Sequence, residues 1–95
     1  MAIQEAGAFS VVIEAVPKKL ADKLCDISRI PTIGIGASSK CDGQILVTED
    51  MLGYFDKNAK FVKKFANIKK IIRKSVEKYS FDVNMRKFPT KKNMY

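Results

Sequence analysis

The stretch Ser10-Val11-Val12-Ile13-Glu14-Ala15-Val16-Pro17 sets one carboxylate at the end of an apolar run and just ahead of a proline. Residues Phe9 to Ile13 are apolar or small, and Val11 and Val12 are β-branched, so the run predicts a strand buried on both faces, as parallel strands are. Glu14 then stands at its carboxyl end. Pro17 suits the first turn of a helix, where a missing amide hydrogen costs nothing, and Leu20, Leu24 and Ile27 recur at helical spacing behind it. A helix from about Pro17 to Ser28 follows. Pro31 blocks further helix and opens Thr32-Ile33-Gly34-Ile35-Gly36-Ala37, a second short buried strand ending in glycines. Strand, helix, strand at this spacing is a parallel crossover unit, which makes the chain α/β. Upstream, Ala2 to Gly7 reads as the last turn of a helix with Gly7 as its C-terminal cap.

Two parallel strands do not make a domain. A parallel sheet needs both faces covered, and its open edges invite wrong pairing. The last 39 of the 95 residues hold little besides one long basic helix and a tail. We therefore expect the chain to be part of a larger fold.

The net charge of +8 invites a nucleic-acid reading, but its distribution does not support one. Residues 1–56 carry five Lys/Arg against eight Asp/Glu, whereas residues 57–95 carry thirteen against two. In the second part Phe61, Phe65, Ile68, Ile72, Val76, Tyr79 and Val83 fall at steps of three and four, an apolar stripe that predicts one amphipathic helix. The lysines and arginines off the stripe form its solvated face. Basic amphipathic helices also bind nucleic acid or anionic membranes, and a non-enzymatic module of that kind is the alternative function. No aromatic-and-glycine pattern of an RNA-binding sheet accompanies the helix. Our expectation is neither a nucleic-acid nor a membrane partner.

Cys25 and Cys41 stand sixteen residues apart in a chain without histidine. Structural zinc wants four ligands, so reduced thiols in a cytoplasmic protein are expected instead. No apolar run reaches membrane-spanning length, and no charged segment followed by an apolar core opens the sequence. Gly34 and Gly36 fit either a phosphate cradle at a barrel mouth or a close approach of another group; the pattern leaves both open.

Ala2-Ile3-Gln4-Glu5-Ala6-Gly7-Ala8-Phe9, Val12-Ile13-Glu14-Ala15-Val16-Pro17, Ile30-Pro31-Thr32-Ile33-Gly34-Ile35-Gly36-Ala37, Cys41-Asp42-Gly43-Gln44-Ile45-Leu46-Val47 and Lys60-Phe61-Val62-Lys63 follow one another in a set order. In order and spacing these blocks resemble the carboxyl-terminal third of the ketopantoate hydroxymethyltransferases. The resemblance spans nearly the whole chain. It implies the end of a single (β/α)8 TIM barrel of the phosphoenolpyruvate mutase-like group. Residues 1–56 would hold strand seven (Phe9 to Glu14), strand eight (Thr32 to Ile35) and their helices, and residues 57–95 the basic C-terminal helix and tail. The implied reaction is hydroxymethyl transfer from methylenetetrahydrofolate to 3-methyl-2-oxobutanoate, giving 2-dehydropantoate for pantothenate synthesis. A divalent metal, usually magnesium, serves the 2-oxo acid, and the complete enzyme is a homodecamer.

Within that resemblance Glu14 matches the glutamate that handles protons beside the substrate. The metal ligands and a substrate-binding lysine belong to earlier strands, so no ligand role passes to Asp42, Glu49 or Asp50. The chain alone is expected to be inactive, either as a fragment or as half of a split enzyme that needs the missing N-terminal barrel segment. Three departures stand out. Ser38 replaces a usual glycine, Glu49 a common histidine, and the tail Phe88 to Tyr95 lacks the usual Glu-His-Ser-Phe.

Overall fold

The computed structural model describes residues 2–95. It begins with α1 (Ala2–Glu5), closed by Gly7 at φ 94° as the sequence predicts, and continues into β1 (Val11–Glu14), α2 (Lys18–Ile27) and β2 (Thr32–Ile35). A two-residue β3 (Gly43–Gln44), a short α3 (Thr48–Leu52), a long α4 (Ile68–Asn84) and a 3-10 turn over Lys91–Asn93 complete the chain. The three strands form one sheet in the order β1-β2-β3, and both pairs are parallel.

Val11 lies opposite Thr32 and Glu14 opposite Ile35, so β1 and β2 run level along their whole length. The third strand was not expected. Its connection, residues 36–42, is shorter than the dozen or so residues of an ordinary parallel crossover. It suffices because β3 pairs with Ile33 and Gly34, a return of only two positions from the end of β2.

One face of the sheet is packed. Ile13 (4% exposed), Ala21 of α2, Ala37 and Cys41 form its core, with Val16, Leu24 and Cys25 against them. The expected burial of β1 on both faces is met on this face alone. Val12 is 53% exposed and Glu14 is exposed as well, both on the side away from α2. Phe9, expected inside the strand, precedes it and is 87% exposed.

The C-terminal region departs further from expectation. The single helix drawn from the stripe at 61–83 starts only at Ile68. Asn67 caps it, its side chain accepting the Lys70 amide at 3.2 Å. Phe61 and Phe65 fall in the preceding loop, which is tied down where the Phe65 amide donates to the Met51 carbonyl at 2.8 Å. Gly53 ends α3 at φ 74°, and a Cβ there would lie 2.2 Å from the Ala66 carbonyl oxygen. Only glycine lets the two segments meet. α4 itself buries no residue, and Ile72, Val76, Tyr79 and Val83 of its stripe remain exposed.

The radius of gyration is 22.0 Å, against about 12 Å for a compact domain of this length. The excess comes from an elongated molecule, 66 × 28 × 16 Å. Among the described residues no helix is long and apolar enough to cross a membrane. We predict that the isolated 95-residue chain unfolds without a cooperative transition. Scanning calorimetry should give a van't Hoff enthalpy well under the roughly 65 kcal/mol of a cooperative domain this size, and a sharp two-state transition in a monomer would contradict this reading.

Candidate active site

Parallel pairing brings the carboxyl ends of β1 and β2 to one edge of the sheet. With Glu14 level with Ile35, the loops 15–17 and 36–42 leave the sheet side by side. Ala15 adopts φ 53°, a left-handed conformation that costs a non-glycine residue about 1–2 kcal/mol. It turns the chain sharply after Glu14, so that Pro17 at φ −54° can open α2. Among the described residues the Glu14 side chain has no hydrogen-bond or ion-pair partner.

At the same edge lies an open cleft of about 510 Å³ lined by Lys18, Gly36, Ala37, Ser38, Ser39 and Gln44. A larger cleft of about 600 Å³ separates residues 54–57 from α4. None of the residues lining it belongs to the strands or to the loops that leave their carboxyl ends.

Both glycines of β2 and its loop are in close approach to another segment, as one of the two readings of the sequence expects. Gly36 has φ 63°, and a Cβ on it would fall 2.0 Å from the Phe61 Cβ. At Gly34 a Cβ would meet the Gln44 amide at 2.9 Å and the Cys41 Sγ at 3.0 Å.

A polar network holds the 36–42 loop to α2. Ser38 Oγ donates to Asp22 Oδ1, Lys18 Nζ donates to Asp22 Oδ2, and the Lys40 amide donates to Ser38 Oγ at 3.0 Å. Gln44 Nε2 donates to the Ser38 carbonyl at 2.7 Å. Hydrogen bonds from Lys18 and then Ser38 hold the Asp22 carboxyl below the usual carboxylate range. Lys40 also pairs with Asp26 at 3.0 Å, which raises the Lys40 pKa. The i,i+4 spacing of Lys18 and Asp22 was readable in the sequence; the reach from Asp22 to Ser38 was not, because it joins a helix to a loop through the fold.

The opposite end of β2 is closed by Asp42. Its Oδ2 accepts the Thr32 amide at 2.7 Å and the Thr32 hydroxyl at 2.8 Å, while its own amide donates to Thr32 Oγ1 at 3.2 Å. Thr32 is 1% exposed. These bonds lower the Asp42 pKa, the backbone bond contributing most. The carboxylate is engaged in holding the strand, and Glu49 and Asp50 lie in the first turn of α3. Among the described residues no three His, Cys, Asp or Glu side chains are grouped to hold a metal ion. With Glu14 as the one carboxylate at the strand ends, the residues present do not fit a divalent-cation site by themselves.

A parallel α/β segment with a strand-terminal carboxylate beside a glycine-bearing loop is the arrangement found in enzymes that keep their chemistry at the carboxyl ends of parallel strands. The chain is a member of the ketopantoate hydroxymethyltransferase family, whose model matches residues 1–91. It is 55% identical over 92 residues to 3-methyl-2-oxobutanoate hydroxymethyltransferase 2 of Zymomonas mobilis, covering 97% of this chain and 34% of that protein. The 3-methyl-2-oxobutanoate hydroxymethyltransferases of Bartonella quintana and Clostridioides difficile are each 51% identical over 94 residues. Those matches cover 99% and 98% of this chain and 34% of each relative. The chain thus spans about a third of the length of the curated relatives it matches.

Two outcomes are expected when this chain replaces the last third of the Zymomonas mobilis relative. Gly36→Ala should lower stability by about 2–4 kcal/mol in urea unfolding, combining a left-handed alanine with overpacking against Phe61. A loss under 0.5 kcal/mol would mean that Phe61 moves away freely. The second concerns Asp42. Its folded pKa is depressed, so its contribution is present above the ordinary value of 3.8 and is lost as pH falls below it. Asp42→Asn should therefore flatten the acid limb of a stability–pH profile below pH 3.8, and an unchanged limb would detach Asp42 from acid unfolding.

Proposed function

We propose that this chain supplies strands seven and eight and the proton-handling glutamate of a (β/α)8 barrel of the phosphoenolpyruvate mutase-like group. The complete protein would transfer a hydroxymethyl group to 3-methyl-2-oxobutanoate, giving 2-dehydropantoate, in cytoplasmic pantothenate synthesis. The observation that carries the reading is Glu14, unpartnered at the carboxyl end of a parallel strand in a chain of this family. Methylenetetrahydrofolate would supply the one-carbon unit. A divalent metal, which these residues do not themselves hold, would be bound by other segments of the barrel.

The part this chain plays follows from the chemistry of the 2-oxo acid. Carbon 3 of the substrate must lose a proton before it can form the new carbon–carbon bond, and the new hydroxymethyl oxygen needs a proton partner. Glu14 serves one of these transfers as general acid or base. Its place in the strand sets it on the face away from α2, and the chain turns sharply right after it at Ala15. Loop 36–42, held by Ser38 and Asp22, forms the neighbouring wall. The exposed stripe of α4 supports assembly with the missing barrel segment and with other subunits of a homodecamer, where it would be covered.

The test is the same fusion with the first two-thirds of the Zymomonas mobilis relative. It should turn over 3-methyl-2-oxobutanoate with methylenetetrahydrofolate, whereas the 95-residue chain alone should not. Glu14→Gln in the fusion should lower kcat by about 10²–10⁴-fold with little change in KM. Unchanged turnover would remove Glu14 from the mechanism, and an inactive but folded fusion would overturn the family activity for this chain.

A further inference from the structure

The thiols of Cys25 and Cys41 meet in the packed core. Their sulfurs are 3.4 Å apart, one on α2 and one at the end of the loop that leads to β3. Cys41 is buried and Cys25 partly exposed, and neither is bonded to the other. The backbone around them is anchored independently: Ser38 is held by Asp22 on the helix side, and Asp42 is held by Thr32 on the strand side. Two thiols in contact, within a side-chain rotation of bonding, with one reachable from solvent, have the arrangement a reversible dithiol needs.

We propose that Cys25 and Cys41 form a reversible intramolecular disulfide that fastens α2 to the loop beside the strand ends. The oxidant class is a low-molecular-weight disulfide such as glutathione disulfide. The Cys25 thiolate attacks one sulfur of that disulfide and expels one thiolate, leaving a mixed disulfide on Cys25. Cys41 then gives up its proton, its sulfur attacks the Cys25 sulfur, and the second thiolate leaves. Two protein thiols are oxidised to one disulfide and the small disulfide is reduced to two thiols, so electrons and protons balance. The order follows from access. Burial, together with the neighbouring Cys25, pushes the Cys41 thiol pKa up, which makes Cys41 the resolving group rather than the point of entry.

The pair is reduced in this structure, the state that a reducing compartment would maintain. Oxidation would join the helix that follows Glu14 to the loop that carries Ser38, across the very contact the Asp22 network makes noncovalently. The proposal does not depend on the transferase reading, because it uses only the local packing of residues 17–44.

The experiment is a titration of the native protein, at the full length its source makes, in buffers of graded glutathione and glutathione disulfide. Samples are quenched by alkylation and mapped by peptide mass spectrometry. A single 25–41 crosslink within one chain is expected. Its equilibrium constant against glutathione should be at least about tenfold higher than that of the same protein in concentrated urea, because the fold holds the sulfurs together. Separate glutathione adducts on the two cysteines, a crosslink between chains, or a constant no higher than in urea would each overturn the proposal. Cys25→Ser should leave Cys41 unmodified at the same poise. If that variant does not fold, the measurement on the unsubstituted protein decides.

Discussion

Everything at the candidate site hangs on the level pairing of β1 with β2. Four consecutive residue pairs, from Val11 with Thr32 to Glu14 with Ile35, fix where each strand stops. A slip of one position would turn Glu14 to the opposite face of the sheet and bring Ile13 out of the core, because side chains alternate with a period of two. Several contacts hold the register. Ala21 of α2 packs fully buried against Ile13, Asp42 fastens the start of β2 through Thr32, and Gly34, level with Ile13, makes room for Gln44 and Cys41. None of these residues is chemically reactive in the proposed role. Their work is to make the direction of one carboxylate definite.

The same pairing leaves the molecule unfinished in a quantifiable way. One face of β1 is open, β1 has a free edge, and α4 lies with its apolar stripe in water. Ile72, Val76, Tyr79 and Val83 are each about half exposed. Covering them would add roughly 1 kcal/mol apiece, a few kcal/mol in total, which is a sizeable part of the 5–15 kcal/mol that holds an ordinary domain together. The helix nevertheless forms along its own length, with Asn67 capping one end and Arg86 at φ 56° turning the chain away at the other. Local signals are enough to shape it. What they do not supply is the surface it packs against.

That division explains what could be read in advance. β1, α2 and β2 were legible because their signals are local: a β-branched run, a proline at the helix start, a proline before the second strand. The position of Glu14 at a strand end follows from the same local signals. β3 was not legible, since Gly43 and Gln44 have no strand pattern and pair only because the loop returns them to Ile33 and Gly34. The start of α4 was misplaced because Phe61 and Phe65 happen to continue the helical spacing. Tertiary contacts claim both, Phe61 against Gly36 and the Phe65 backbone against Met51. Asn67, a good capping residue directly ahead of Ile68, is the local signal that marks the true start. The contact of Cys25 with Cys41 and the bond from Ser38 to Asp22 each join residues sixteen apart, and no periodicity announces such pairs.

Competition among the carboxylates gives the assignment of Glu14 its physical basis. A group that moves protons must be free to change charge without dismantling its surroundings. Asp42 is not free, because protonating it would weaken the two bonds that close β2 over a buried threonine. Asp22 is committed to Lys18 and Ser38, which favour its ionised form, and Asp26 is paired with Lys40. Asp56 is likewise bound by Lys69, whose hydrogen bond lowers its pKa, and it lies far along the chain from the strand ends. Each of these acids spends its charge on structure. Among the acids of the described residues, Glu14 alone combines a position at the end of a parallel strand, an uncovered face and an uncommitted carboxylate, which leaves its charge to be set by whatever comes to lie against that face.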